Sequence, residues 1–167
     1  MRSTINYFYG DVIDRFLNDE GKSVFAYWNE LRQDRPYPAK SEFDPSRVRK
    51  ALPGMQIVEK VDPPVELRYR LVGTNEVDVR GWDPTGYPVS EGFVGPSVEI
   101  VLQHYRHTIA TEAPLGVSGI FRKANDVWVE DISLFLPMGG ATGDLQFIFV
   151  YTYYNPALPE LFSDLGH

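Results

Sequence analysis

The residues able to do chemistry are few, and their spacing limits what they can do. His104 and His107 lie in a run whose apolar stripe (Val98, Val101, Leu102, Tyr105 and Ile109) has helical spacing. At about 100° per residue the stripe centres near Val98 and Tyr105, which turns His107 about 180° away and His104 about 120° away, onto the flank. An axial haem ligand would have to point inward with the stripe, so haem is disfavoured, and His104 remains a polar candidate at the edge of the interior. Arg68 and Arg70 alternate with Leu67, Tyr69 and Leu71. Arg70 is therefore an anion or carboxylate clamp, or half of a structural ion pair with Glu130 or Asp131. Glu130 and Asp131 are neighbours on a strand-like run, so their side chains diverge and form no direct acid–base dyad. No HExxH, GxSxG or phosphate-cradling loop occurs. With no Cys, a thiol nucleophile, a disulfide, Cys-ligated zinc or iron–sulfur and a cysteinyl-flavin adduct are all excluded. The expectation is a protein that is not an enzyme, with no catalytic set and no metal site.

The elements that must position these side chains can be read from periodicity. Residues 1–22 read as an N-terminal helical arm, with Tyr7, Phe8, Val12, Ile13 and Phe16 near helical spacing. A better helix spans 23–33, with Val24, Trp28 and Leu31 at i, i+4 and i+7, and it ends before Pro36 and Pro38. Asp44 caps a short helix that Pro53-Gly54 closes. Two alternating runs, 56–61 and 66–72, flank Asp62-Pro63-Pro64 and predict an antiparallel hairpin. Residues 73–95 are rich in Gly and Pro yet carry Trp82, Tyr87 and Phe93, so they read as a packed irregular segment. A long helix follows at 96–112, then strand-like runs at 115–122, 127–136 and 145–154. This order predicts an α+β domain: one five-stranded antiparallel sheet with helices on one face. The helical lead-in covers 23–54, the core 55–155, and a tail 156–167.

Composition narrows the partners. The 167 residues fit one domain, and 10 Tyr, 10 Phe and 3 Trp supply a core. The net charge of −7 and the lack of a Lys/Arg cluster argue against nucleic acid and anionic membrane surfaces. No apolar run approaches the roughly 18 residues of a membrane span, and acids interrupt the N-terminus where a signal peptide would be apolar. A cytoplasmic protein is expected.

Four stretches carry a family likeness: FAYWNELRQDRPYPAKSEFDP, LPGMQIVEKV, ELRYRLVGTNEVDVRGWDPTGYPVSE and WVEDISLFLPM. They resemble the PAS sensor-domain superfamily, and within it a branch of short, mostly stand-alone PAS proteins of alphaproteobacteria. RYRLVGT followed by RGWDPTG is the most specific part. Lys40 departs from that branch, which more often has arginine there, so no role is carried onto it. The resemblance implies a small-molecule pocket between the inner sheet face and the long helix. Tyr69, Leu71, Val101, Tyr105, Phe121 and Trp128 would line it, with Trp82 at its mouth and Arg70 and His104 as polar candidates. It also implies a homodimer through N-terminal helices and the outer sheet face, with Phe16, Val24, Trp28 and Leu31 as the contact residues. The helix at 23–33 is equally suited to covering an apolar sheet face.

The expected function is sensory or regulatory: a small ligand or a protein partner shifts a conformational equilibrium, and the signal passes in trans to a separate signalling protein. No cofactor is identified, and none is expected to be covalent. The alternatives are a constitutive interaction module whose core is filled by its own rings, a haem-binding sensor, or a small cone-fold enzyme, which the inward Tyr and Trp residues disfavour.

Overall fold

Strong alternation makes the second half of the chain a sheet. In the computed structural model, which describes residues 5–122 and 125–156, β4 (Leu115–Arg122), β5 (Trp128–Gly139) and β6 (Leu145–Pro156) form an antiparallel meander. The hairpin of β2 (Met55–Lys60) and β3 (Leu67–Val72) joins it through β2 against β6. Residues 157–167, most of the predicted tail, lie outside the described residues.

The sheet has six strands, not five, in the order β1-β4-β5-β6-β2-β3. The extra strand, β1 (Asn6–Tyr9), comes from the segment that reads as helix in the sequence, and it pairs antiparallel with β4. Its aromatic residues alternate in environment. Tyr7 and Tyr9 meet His104 and His107, while Phe8 turns the other way and stacks on Phe16 at 3.7 Å between ring centroids. Gly10, at φ +58, ends the strand, and residues 10–16 continue as a 3-10 helix. Among its described residues the arm expected at 1–22 is thus strand at 6–9, 3-10 helix at 10–16 and, from Asp19, the start of a longer α-helix. A rule that sees only near neighbours misses β1, because its partner lies more than a hundred positions away.

Helices cover both faces of the sheet. On the outer face, α1 (Asp19–Arg32) is capped by Asn18, whose side chain accepts from the Gly21 amide. It packs Val24, Phe25 and Trp28 onto Ile132, Leu134, Leu136 and Phe149. Trp28 is 1% exposed, and its indole N–H donates to the Pro137 carbonyl at 3.0 Å. On the inner face lie α2 (Thr74–Arg80), α3 (Val89–Gly92) and α4 (Val98–Thr111). Val101 and Tyr105 of α4 pack there on Leu115, Val117, Phe135 and Val150. The strand period of two assigns these sides: Ile132, Leu134 and Leu136 face outward, whereas Asp131, Ser133 and Phe135 face inward.

The helix at 23–33 therefore covers its own sheet. Val24 and Trp28 are buried inside the chain and leave no surface for a second copy. Leu31 is half-buried against the same core, and Phe16 alone of the four expected contact residues stays exposed. Among the described residues no helix is long and apolar enough to cross a membrane.

Candidate functional site

The hairpin carries an irregularity that decides what faces the interior. Ile57 pairs with Leu71 but Val58 pairs with Tyr69, so Arg70 is an extra residue in β3. A bulge of this kind reverses the alternation. Tyr69 stays buried on the inner face, whereas Leu71 turns to the outer side and is 47% exposed. Arg70 is exposed and pairs with Glu59 on the neighbouring strand, not with Glu130 or Asp131, because β3 is an edge strand and β5 lies three places across the sheet.

Immediately after β3, Gly73 lets the chain turn tightly into α2. A Cβ there would collide with the carbonyl oxygens of Leu52 and Pro53. Gly81, left-handed at φ +77, then caps the helix after only seven residues. This fixes the inward face of α2, which carries Glu76 and Arg80 at i and i+4. Both side chains are buried, and their Oε2 and Nη1 atoms lie 3.0 Å apart.

Glu76 accepts from Gln56 Nε2 at 3.0 Å and from the Tyr154 hydroxyl at 2.7 Å. Arg80 donates to the carbonyls of Gly92 (2.6 Å) and Glu76 (2.8 Å), to Gln56 Oε1 (3.3 Å) and to the Tyr69 hydroxyl (3.3 Å). Burial pushes the Glu76 carboxyl up from its ordinary range, and Arg80 beside it pulls it back. Burial likewise raises Tyr154, and the carboxylate it bonds raises it further. Among the described residues no buried side-chain nitrogen or oxygen lacks a hydrogen-bond partner.

Beside this network lies a cavity of about 60 Å³ between α4 and the inner sheet face. Tyr69, Val101, His104 and Tyr105, all expected pocket residues, line it. Ser133 and Thr152 sit in its wall, with their hydroxyls 2.8 Å apart across β5 and β6. His104 is buried because β1 covers the flank of α4, and its Nε2 lies 3.3 Å from the Tyr7 hydroxyl. Burial, reinforced by His107, lowers its pKa to about 4, so it is neutral at neutral pH. Asp131 also borders the cavity, in room left by Gly119, where a Cβ would sit 3.1 Å from its Oδ1. Burial, together with the negative charges of Glu76 and Glu130, pushes its carboxyl up to about 7.

The other expected pocket residues lie elsewhere. Leu71 is on the outer side of the bulge. Trp82 is 40% exposed and packs edge-on against Tyr87 rather than reaching the cavity. Trp128 is 41% exposed at the start of β5, under the Arg122 guanidinium. Phe121 is buried in a satellite cluster with Val79 and Val129, one ring away from the cavity behind Tyr154.

The polar side chains lining the cavity include Gln56, Glu76, Arg80, Asp131 and Tyr154; of these the sequence singles out only Asp131, as a partner for Arg70. The signal was present in part. Asp131 and Ser133 share the period-two row of Phe135, and Glu76 and Arg80 flank buried Val79. Charged residues so spaced on a short helix ordinarily mark a solvated face.

A sheet of this order, with a row of short helices and α4 closing its inner face, has relatives. Residues 18–150 match the family described as PAS domain. The chain belongs to that family. No curated protein matches the sequence.

Among solved structures, the PAS chain superposes on a light-oxygen-voltage domain studied with a flavin analogue, with a TM-score of 0.53 and 10% identity over 72% of this chain and 89% of that one. It also superposes on a variant of RsLOV, with a TM-score of 0.50 and 16% identity over 66% of this chain and 64% of that one. A third match is an RNA-binding light-oxygen-voltage receptor, with a TM-score of 0.51 and 8% identity over 91% of this chain and 39% of that one. At these identities the likeness is one of fold. A flavin ring system does not fit a 60 Å³ space already occupied on one side by Arg80, Tyr69 and Tyr105, and the chain has no Cys for a thiol adduct. Membership of the PAS family and this fold support a sensory or regulatory role.

Proposed function

We propose that this PAS chain is a non-enzymatic regulatory module whose interior is closed by its own side chains. It signals in trans through protein contacts that change with its conformation or dimeric state. The observation that carries this reading is the size and saturation of the interior. Ligand pockets ordinarily measure roughly 300–1,000 Å³, against about 60 Å³ here, enough for a few water molecules. The Glu76–Arg80 pair has its bonds satisfied by Gln56, Tyr69, Tyr154 and backbone carbonyls, so it leaves no polar group that calls for a ligand.

Asp131 favours a second reading. Its carboxyl borders the cavity with no cation paired to it among the described residues, which suits a ligand of very few atoms that carries a hydrogen-bond donor.

Native mass spectrometry and an absorption spectrum of the purified protein separate the two. The first reading expects the bare polypeptide mass and no absorption beyond that of the aromatic residues. A stoichiometric added mass that disappears in Asp131→Asn establishes the second reading instead, and a bound chromophore overturns both.

A further inference from the structure

One stretch of the outer sheet face, at the β2–β3 hairpin, is left open as a groove of about 230 Å³. Met55, Ile57, Leu71 and Phe149 come from the sheet, and Phe43 and Leu52 from the segment that leads into it. Leu71 reaches the groove because the extra residue at Arg70 turns it to the outer side. Phe43 meets Phe149 edge-on at 4.9 Å between ring centroids and tilts against Tyr27 at 5.0 Å, so this wall is held from behind.

Lys40 is the one charged residue in the lining. Its ammonium lies 5.2 Å from the centre of the Phe147 ring, and among the described residues no carboxylate forms an ion pair with it. The nearby acids are engaged elsewhere. Glu42 accepts from both terminal nitrogens of the Arg35 guanidinium and from the Ala39 amide. The Asp44 carboxylate accepts from the Ser46 amide, and Glu59, two places along β2 from Ile57, takes Arg70 and Gln146. On a chain of net charge −7, this groove is lined by one positive charge and no negative one.

Size and polarity then define what fits. A cavity of about 150 Å³ takes up benzene, so at the same packing this one holds about nine non-hydrogen atoms. Any apolar body gains from leaving water there. Only an anion also gains the Lys40 ammonium, and an apolar lining with one polar group at its edge orients such a molecule head outward.

We propose that the groove is a binding site for a small amphipathic anion, an apolar body of about nine non-hydrogen atoms whose single carboxylate meets Lys40. This goes beyond the closed-interior reading and does not rest on it, since the groove and the inner cavity share no lining residue.

The test is titration of the full chain with octanoate, below its micelle-forming concentration, followed by methyl NMR. Saturable shifts are expected at Leu52, Met55, Ile57 and Leu71, at one octanoate per chain, with Val101 and Val117 of the inner cavity unmoved. Octan-1-ol, the same chain without the charge, is expected to bind a few-fold more weakly, and octylammonium more weakly still. Lys40→Met is expected to weaken octanoate a few-fold and to leave octanol unchanged, and added salt should narrow the gap between the two ligands. Leu71→Asp is expected to weaken both about tenfold or more. Leu71 is exposed, so the circular dichroism and melting of that variant should match the parent, which separates lost binding from lost folding. With 3-phenylpropanoate in place of octanoate, the tighter of the two tells whether the body is a chain or a ring. Absence of groove shifts with either carboxylate overturns the proposal. So do equal affinities for octanoate, octanol and octylammonium, a Lys40→Met variant that binds octanoate like the parent, or shifts confined to the inner cavity.

Discussion

Both faces of the sheet are buried by apolar clusters, but only the inner one also buries an ion pair. The outer face closes with apolar surface: α1 lays Val24, Phe25 and Trp28 over aliphatic residues of β5 and β6, and one indole hydrogen bond fixes the register. The inner face closes with an apolar cluster under α4 and, beside it, an ion pair on a short helix, held by an amide and two phenols. Apolar burial is additive and tolerant of small changes. A buried charge pair is not: it contributes little net stability when whole, and losing one partner leaves the other charge stranded. The outer face thus acts as a fixed brace, and the inner face is the one where a single charge decides the packing.

Four measurements break or sharpen this contrast. Arg80→Ala should have the largest effect, a loss of about 3–5 kcal/mol in denaturant unfolding, because Glu76 stays buried without its cation. Glu76→Leu combined with Arg80→Met should recover most of that loss, since the charge is then gone altogether; a double variant as unstable as Arg80→Ala would mean the pair is needed for the fold itself. On the outer face, Trp28→Phe should cost about 2 kcal/mol, from the lost volume and the unpaired Pro137 carbonyl.

The third effect depends on pH. The Asp131 carboxyl titrates near 7 in the folded chain against 3.8 ordinarily, so the folded state holds the extra proton between those values. Its contribution is present below about pH 4 and is lost as the pH rises to 7. Asp131→Asn should therefore be more stable than the parent at pH 8, by up to about 4 kcal/mol, with the gap closing toward pH 4. His104 has the opposite sign. It is held neutral down to about 4 against 6.5, so stability falls as the pH drops through that window, and replacing it with Phe should flatten the acid side of the profile. The smallest effect belongs to Trp82→Ala and Trp128→Ala, each expected within about 1 kcal/mol of the parent, because both rings are about 40% exposed and lie outside the core clusters.

Legibility in the sequence follows how local each determinant is. β4 is readable to the residue at 115–122, and α4 within two residues at each end, because alternation and the apolar stripe are local patterns. β1 is not, since Asn6–Tyr9 become a strand only by meeting residues 115–118. Four of the nine candidate pocket residues reach the cavity, and they are the ones on regular elements: Tyr69, Val101, His104 and Tyr105. Leu71 fails because a bulge is invisible to period-two counting. Trp82, expected at the mouth, packs on Tyr87 instead, and Trp128, expected on an interior-lining strand, sits at the outer start of β5 beside Arg122. Glu76 and Arg80 are not legible in the sequence because nothing in a seven-residue helix announces that its charged side is the buried one.

The pairing of β1 with β4 also sets an order of events during synthesis. Until residue 118 has emerged from the ribosome, Asn6–Tyr9 have nothing to join, and His104 has no Tyr7 hydroxyl above it. The ladder of β1 therefore waits on residues more than a hundred positions later in the chain. Until those residues arrive, Tyr7, Phe8 and Tyr9 stay open to whatever binds unpaired strands.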